Sequence, residues 1–116
     1  MGNTIWLQVK KGGKVTGGDR DNSIMLRLRE ELDALADELA VARPSSFYVW
    51  SDSVVGYQSI SKILGALQES PQRVGYPSDP SRTHWPELLL KELSHCAGGL
   101  KSAAEEGCRF RFRIVA

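Results

Sequence analysis

A site for catalysis or for a small ligand would have to be assembled from Asp19, Asp21, Trp50 and Tyr76. Asp19 and Asp21 stand in GGDRDN, a polar loop just ahead of a helical pattern, and Trp50 stands in WSDS, just ahead of a second. Tyr76 belongs to PQRVGYPSDPSRTHWP, which runs from Pro71 to Pro86 and holds most of the prolines. Acids and aromatic rings from such loops can line a polar pocket when the fold brings them together. Each also has a structural explanation. Acids before a helix favour its dipole, and Asp52 or Ser53 suits an N-cap. His84 and His95 have no second ligand at metal spacing. No Walker, GxSxG, GxGxxG or CxxC pattern occurs, and KKGGK reads as a hairpin rather than a strand-to-helix phosphate loop. The expectation is a chain that is not an enzyme and that takes no metal or cofactor.

The second candidate is CRFRFRIVA. Arg109, Arg111 and Arg113 alternate with Cys108, Phe110, Phe112 and Ile114, so the two sets point to opposite faces of a strand. Near the N-terminus, Ile5, Leu7 and Val9 alternate with Trp6, Gln8 and Lys10. Pairing the two apolar sets buries them together and leaves Trp6, Lys10, Arg109, Arg111 and Arg113 on one open face. Burying Phe110 and Phe112 stabilises by roughly 1.5–3 kcal/mol each, so the core alone sets this register. The arginines therefore need no function to be where they are. A tryptophan among arginines on an open sheet nevertheless suits the centre of a protein interface. It also suits base stacking on single-stranded nucleic acid, although the aromatic ribonucleoprotein motif is absent. An arginine is expected over Trp6 as a cation–π neighbour.

Composition narrows the field further. A chain of 116 residues, 41% hydrophobic and 25% charged, fits one domain spanning residues 1–116. Fifteen basic against fourteen acidic residues give a net charge of +1, so any electrostatic partner must be chosen by a local patch. No apolar run suits a membrane span and no secretory or myristoylation pattern is present, which implies the cytoplasm. Cys96 and Cys108 are then expected as reduced, buried thiols.

The elements that must position these residues follow from periodicity. Residues 4–11 read as a strand, and Gly12-Gly13 as a hairpin turn into a short return strand at 14–17. Leu28, Leu32, Leu35 and Leu39 predict a helix from about 23 to 41, capped by Asn22 or Ser23. SSFYVWSDS reads as a buried loop or short extended piece. Ile60, Ile63, Leu64 and Leu67 mark a second helix, in which Gly56 and Gly65 are weak points. Leu89, Leu93, Cys96, Ala97 and Leu100 mark a third, capped by Thr83 and closed by Gly107. The fold class is α+β: three main helices on one face of a two- to three-stranded sheet that pairs the N- and C-terminal strands.

The start MGNTIWLQV, the DRDNS ahead of LREELDALADEL, the WSDSVVG segment and the terminal FRFRIV resemble a pattern in small bacterial proteins of unknown function. That pattern often carries a longer acidic insertion before the tryptophan, which is missing here. The resemblance implies a bacterial, cytoplasmic protein and carries no activity. The expectation for function is a non-enzymatic protein-interaction module, an accessory, immunity or antitoxin-like factor, meeting a protein partner or a second copy of itself. The alternatives are a nucleic-acid-binding module on the same arginine face, and a small-ligand or enzymatic site in the loops. No membrane partner is expected.

Overall fold

The computed structural model describes residues 3–18 and 20–116, so Asp19 lies outside the described residues. Strand β1 (Thr4–Lys11) turns at Gly12 and Gly13 into β2 (Lys14–Gly17). Both turn residues have positive φ, 57° and 84°, the geometry of a two-residue type I′ hairpin. Helices α1 (Ser23–Arg27) and α2 (Arg29–Glu38) follow, and then a 3₁₀ turn at Pro44–Phe47. The two-residue strand β3 (Ser51–Asp52) leads directly into α3 (Ser53–Glu69). Two further 3₁₀ turns, Pro71–Arg73 and Pro80–Arg82, precede α4 (Trp85–Glu105), and β4 (Arg109–Val115) completes the described fold.

The sheet is antiparallel throughout, in the order β2-β1-β4-β3. It has four strands rather than two or three, because Ser51 and Asp52 pair with Phe110 and Arg109 on the outer side of β4. The central register is the one the apolar alternation requires. Ile5, Leu7 and Val9 lie opposite Ile114, Phe112 and Phe110, and Trp6, Gln8 and Lys10 lie opposite Arg113, Arg111 and Arg109.

The large buried side chains of the helices and the first of these two faces form one hydrophobic core. Phe47, Phe110 and Phe112 pack as three tilted rings with centroids 5.0–6.2 Å apart, joined by Leu32, Leu35, Ile60, Ile63, Leu93 and Leu100. Gly56 is needed here rather than merely tolerated. A Cβ at that position would lie 2.3 Å from the Phe110 ring, so α3 lies on β4 at a distance only glycine permits. A Cβ at Gly99 of α4 would lie 2.8 Å from the Leu7 Cδ2 methyl, the movable end of a half-buried side chain.

Three boundaries differ from the sequence pattern. The helix expected over 23–41 breaks at Leu28, whose φ of −104° and ψ of 21° leave the helical region. Leu28 N–H still donates to Ile24, and Leu32 N–H to Leu28, so the apolar stripe runs through the break. The helix then ends at Glu38, with Ala40 in the left-handed region at φ 56°. At the other end, Asn22 holds the cap position but turns its Nδ2 to Ile5 O, 3.0 Å away. The α1 N–H groups are instead satisfied by Glu92 of α4, which accepts from Ile24 at 3.2 Å and Met25 at 2.8 Å. Thr83 does not cap α4 either. Its φ of −65° and ψ of −21° are already helical, and His84 takes the cap position without a side-chain bond. The cap expected at Asp52 forms, with Oδ1 accepting from Val54 and Val55 N–H.

Candidate functional site

The outer face of the sheet carries Trp6, Gln8 and Lys10 from β1 and Arg109, Arg111 and Arg113 from β4. No helix covers it. Alternation explains why these residues share a face, but three further contacts fix their side chains.

The first is at Trp6. Its Nε1–H donates to Asp21 Oδ1 at 3.1 Å. The Gly17-Gly18 bend lies against the same ring: a Cβ on Gly18 would stand 3.1 Å from Trp6 Cε3. Both glycines have positive φ, 84° and 96°, which lets the chain leave β2 and bring Asp21 back beside β1.

The second is at Gln8, which is only 6% exposed on this open face. Its Oε1 accepts from Arg111 Nε at 2.9 Å, holding the guanidinium in a fixed plane.

The third is Trp50. The bend between the Pro44–Phe47 turn and β3 folds its indole over the sheet. The Arg111 guanidinium carbon lies 4.5 Å from the ring centroid and Lys10 Nζ lies 5.4 Å from it. The ring that receives the cations is therefore Trp50, whereas Trp6 was the one expected to. The reason is non-local: β3 pairs with the start of β4, and this pairing carries the residue before Ser51 onto the arginine row. Beside it, Lys10, Lys11, Arg109 and Trp50 wall a cleft of about 320 Å³ that reaches the hairpin turn.

Ion pairs among the described residues join Lys11 to Glu106, Arg43 to Asp37 and Arg73 to Glu38, and none involves Lys10, Arg109, Arg111 or Arg113. Asp52 stands opposite Arg109 in register, but its carboxylate is turned to the α3 N-terminus. Val15, opposite Lys10 and 44% exposed, sets apolar area beside the cations.

The four loop residues proposed for a pocket are placed as follows. Asp21 is bound to Trp6, and Trp50 belongs to the sheet face. Tyr76 lines a different depression of about 520 Å³, with Arg27, Arg82 and Trp85, and burial raises its phenol above the usual range. Asp19 is outside the described residues. Trp50 and Tyr76 thus stand in separate depressions, while Asp21 and Trp50 join the face that holds the arginines. Among the described residues no group of three His, Cys, Asp or Glu side chains is placed to hold a metal ion. Cys96 and Cys108 are both free and buried. Among the described residues no helix is long and apolar enough to cross a membrane.

No protein-family model, curated protein or solved structure matches the chain.

Proposed function

We propose that the chain is a non-enzymatic protein-interaction module, an accessory, immunity or antitoxin-like factor, that meets an acidic protein surface with the outer face of its sheet. One observation carries this reading. Among the described residues, Lys10, Arg109, Arg111 and Arg113 share the outer sheet face with two tryptophans, and none of the four forms an ion pair. A rigid Arg–Trp cluster beside an exposed valine is the composition of an interface centre, and a partner's carboxylates supply the opposite charge. Gln8 and Trp50 hold Arg111 in place before binding, which lowers the ordering cost of the contact.

Nucleic acid fits the face less well. Arg111 and Lys10 already take ring surface of Trp50 that a base would need for stacking.

The test is affinity capture from source-cell lysate with the native chain and with an Arg111→Glu/Arg113→Glu variant, each with and without nuclease. The expected result is one protein recovered in stoichiometric amount by the native chain, lost with the variant and insensitive to nuclease. Equal recovery by the variant, or recovery of nucleic acid alone, overturns the reading.

A further inference from the structure

The depression that holds Tyr76 has a chemistry of its own, apart from the sheet face. Three arginines line it: Arg27 from the end of α1, Arg29 from the start of α2, and Arg82 from the 3₁₀ turn ahead of α4. In an unbroken helix, residues two apart do not face one another. The break at Leu28 falls between Arg27 and Arg29, and both line the depression.

Trp85 gathers the cations. The Arg82 guanidinium carbon lies 4.9 Å from its ring centroid, and that of Arg27 lies 6.0 Å from it. Trp85 and Tyr76 are both packed against the hydrophobic core, so the indole is an anchored platform. Arg29 donates from Nη1 to Leu26 O at 2.9 Å and keeps its other donors. Among the described residues none of these three arginines forms an ion pair. Glu31 is the one carboxylate in the lining. Asp79 is near enough for Arg82 to lower its pKa, but its Oδ1 accepts from the Ser81 N–H and hydroxyl, each at 2.9 Å. Two guanidinia drawn to one ring repel each other, and an anion bound beside them relieves that repulsion.

We infer that this depression binds the phosphate of a small phosphate monoester, with Arg27, Arg29 and Arg82 holding its oxygens and Tyr76 donating its hydroxyl. The charge and the number of donors select the ligand. A carboxylate offers two oxygens and one charge, which a single guanidinium fork satisfies. A phosphate monoester offers three acceptor oxygens and nearly two charges, which call for several forks. The volume, about 520 Å³, exceeds what phosphate alone would fill and suits a small organic ligand. Leu28, Pro77 and Trp85 give the organic part an apolar wall.

The experiment titrates the whole chain with phenyl phosphate, phenyl sulfate, benzoate and inorganic phosphate. Binding is followed by calorimetry and by amide and indole N–H resonances. Phenyl phosphate is expected to shift the Trp85 indole N–H and the amides of Tyr76 and Arg82. It should bind more tightly than the other three, and more tightly still as pH rises past about 6 and its second proton leaves. Arg27→Ala and Arg82→Ala should each weaken it roughly tenfold or more. Lys62→Ala, which removes the same charge from α3, should not. Amide resonances unchanged away from the depression show that the variants are folded. Phenyl sulfate binding as tightly as phenyl phosphate, shifts confined to the sheet face, or native affinity in both arginine variants overturns the site. A phosphotyrosine pentapeptide tests the other source of the same group, and tighter binding of the peptide overturns the small-molecule occupant.

Discussion

Arg111 sits over Trp50, its guanidinium carbon 4.5 Å from the ring centroid, while its Nε–H is donated to Gln8. Each partner thereby limits the other. The indole keeps the arginine from sweeping through solvent, and the arginine keeps the indole on the sheet.

Replacing Arg111 with alanine is expected to cost roughly 0.5–2 kcal/mol of stability, from the lost stacking and from Gln8 left without its donor. Arg111→Lys should not restore that stability or the native indole environment, because an ammonium has no plane to stack or fork to present. Urea midpoints and Trp fluorescence of the two variants check both statements. Wild-type behaviour of Arg111→Ala in both would show the stack to be idle.

Gly56→Ala is expected to destabilise by about 1–3 kcal/mol, the usual range for overpacking a core. The added methyl would strike the Phe110 ring, which is itself fully buried and held by Phe47 and Phe112. Phe110→Leu should be destabilising alone yet partly relieve Gly56→Ala, so the double variant is less damaged than the sum. Denaturant unfolding of the four proteins measures this coupling.

Ala40 sits at φ 56° just beyond the end of α2, where its N–H donates to Asp37 and Val41 N–H donates to Ala36. Glycine takes that conformation without the steric cost that alanine bears. Ala40→Gly should therefore stabilise the protein by about 0.5–1 kcal/mol after the added unfolded-state entropy is offset. A thermal midpoint that drops on this substitution would contradict the geometry.

Cys96 packs against Met25 with its sulfur 3.8 Å from the Met25 sulfur, and burial pushes the thiol up to about 12 from 9.0, with Glu92 adding in the same direction. The folded value is above the unfolded one. The contribution to stability is thus whole below pH 9 and is lost as pH rises toward 12. Cys96→Ala should flatten the fall in stability between pH 9 and 11 compared with the native chain. At neutral pH, Cys96 should react with alkylating reagents only as fast as the protein opens.

The sheet centre was legible because alternation is a local signal with a physical cause. Ile5, Leu7 and Val9 on one side and Phe110 and Phe112 on the other share a buried face that a one-residue slip would turn to solvent. The face of Trp6, Lys10 and the arginines came with it. The stop at Glu38 and the break at Leu28 were not legible, since Leu28 and Leu39 continue the apolar spacing past both. The place of Trp50 was hidden for a different reason. It depends on two residues, Ser51 and Asp52, pairing with a strand far along the chain, and so short a strand leaves no period to read. Asp21 was likewise grouped with Trp50 and Tyr76 by chemistry, while its contact with Trp6 is set by two glycines of positive φ that only the fold reveals.

The two central strands lie far apart in the chain, and this governs how the molecule comes to exist. The hairpin and the helices form from neighbours, but joining β1 to β4 closes a loop of roughly a hundred residues, a cost met before any of its contacts repay it. Arg109, Arg111 and Arg113 stand beside Trp6 and Lys10 only after that closure. A partly folded chain carries the same arginines and the same tryptophans without the surface they make together.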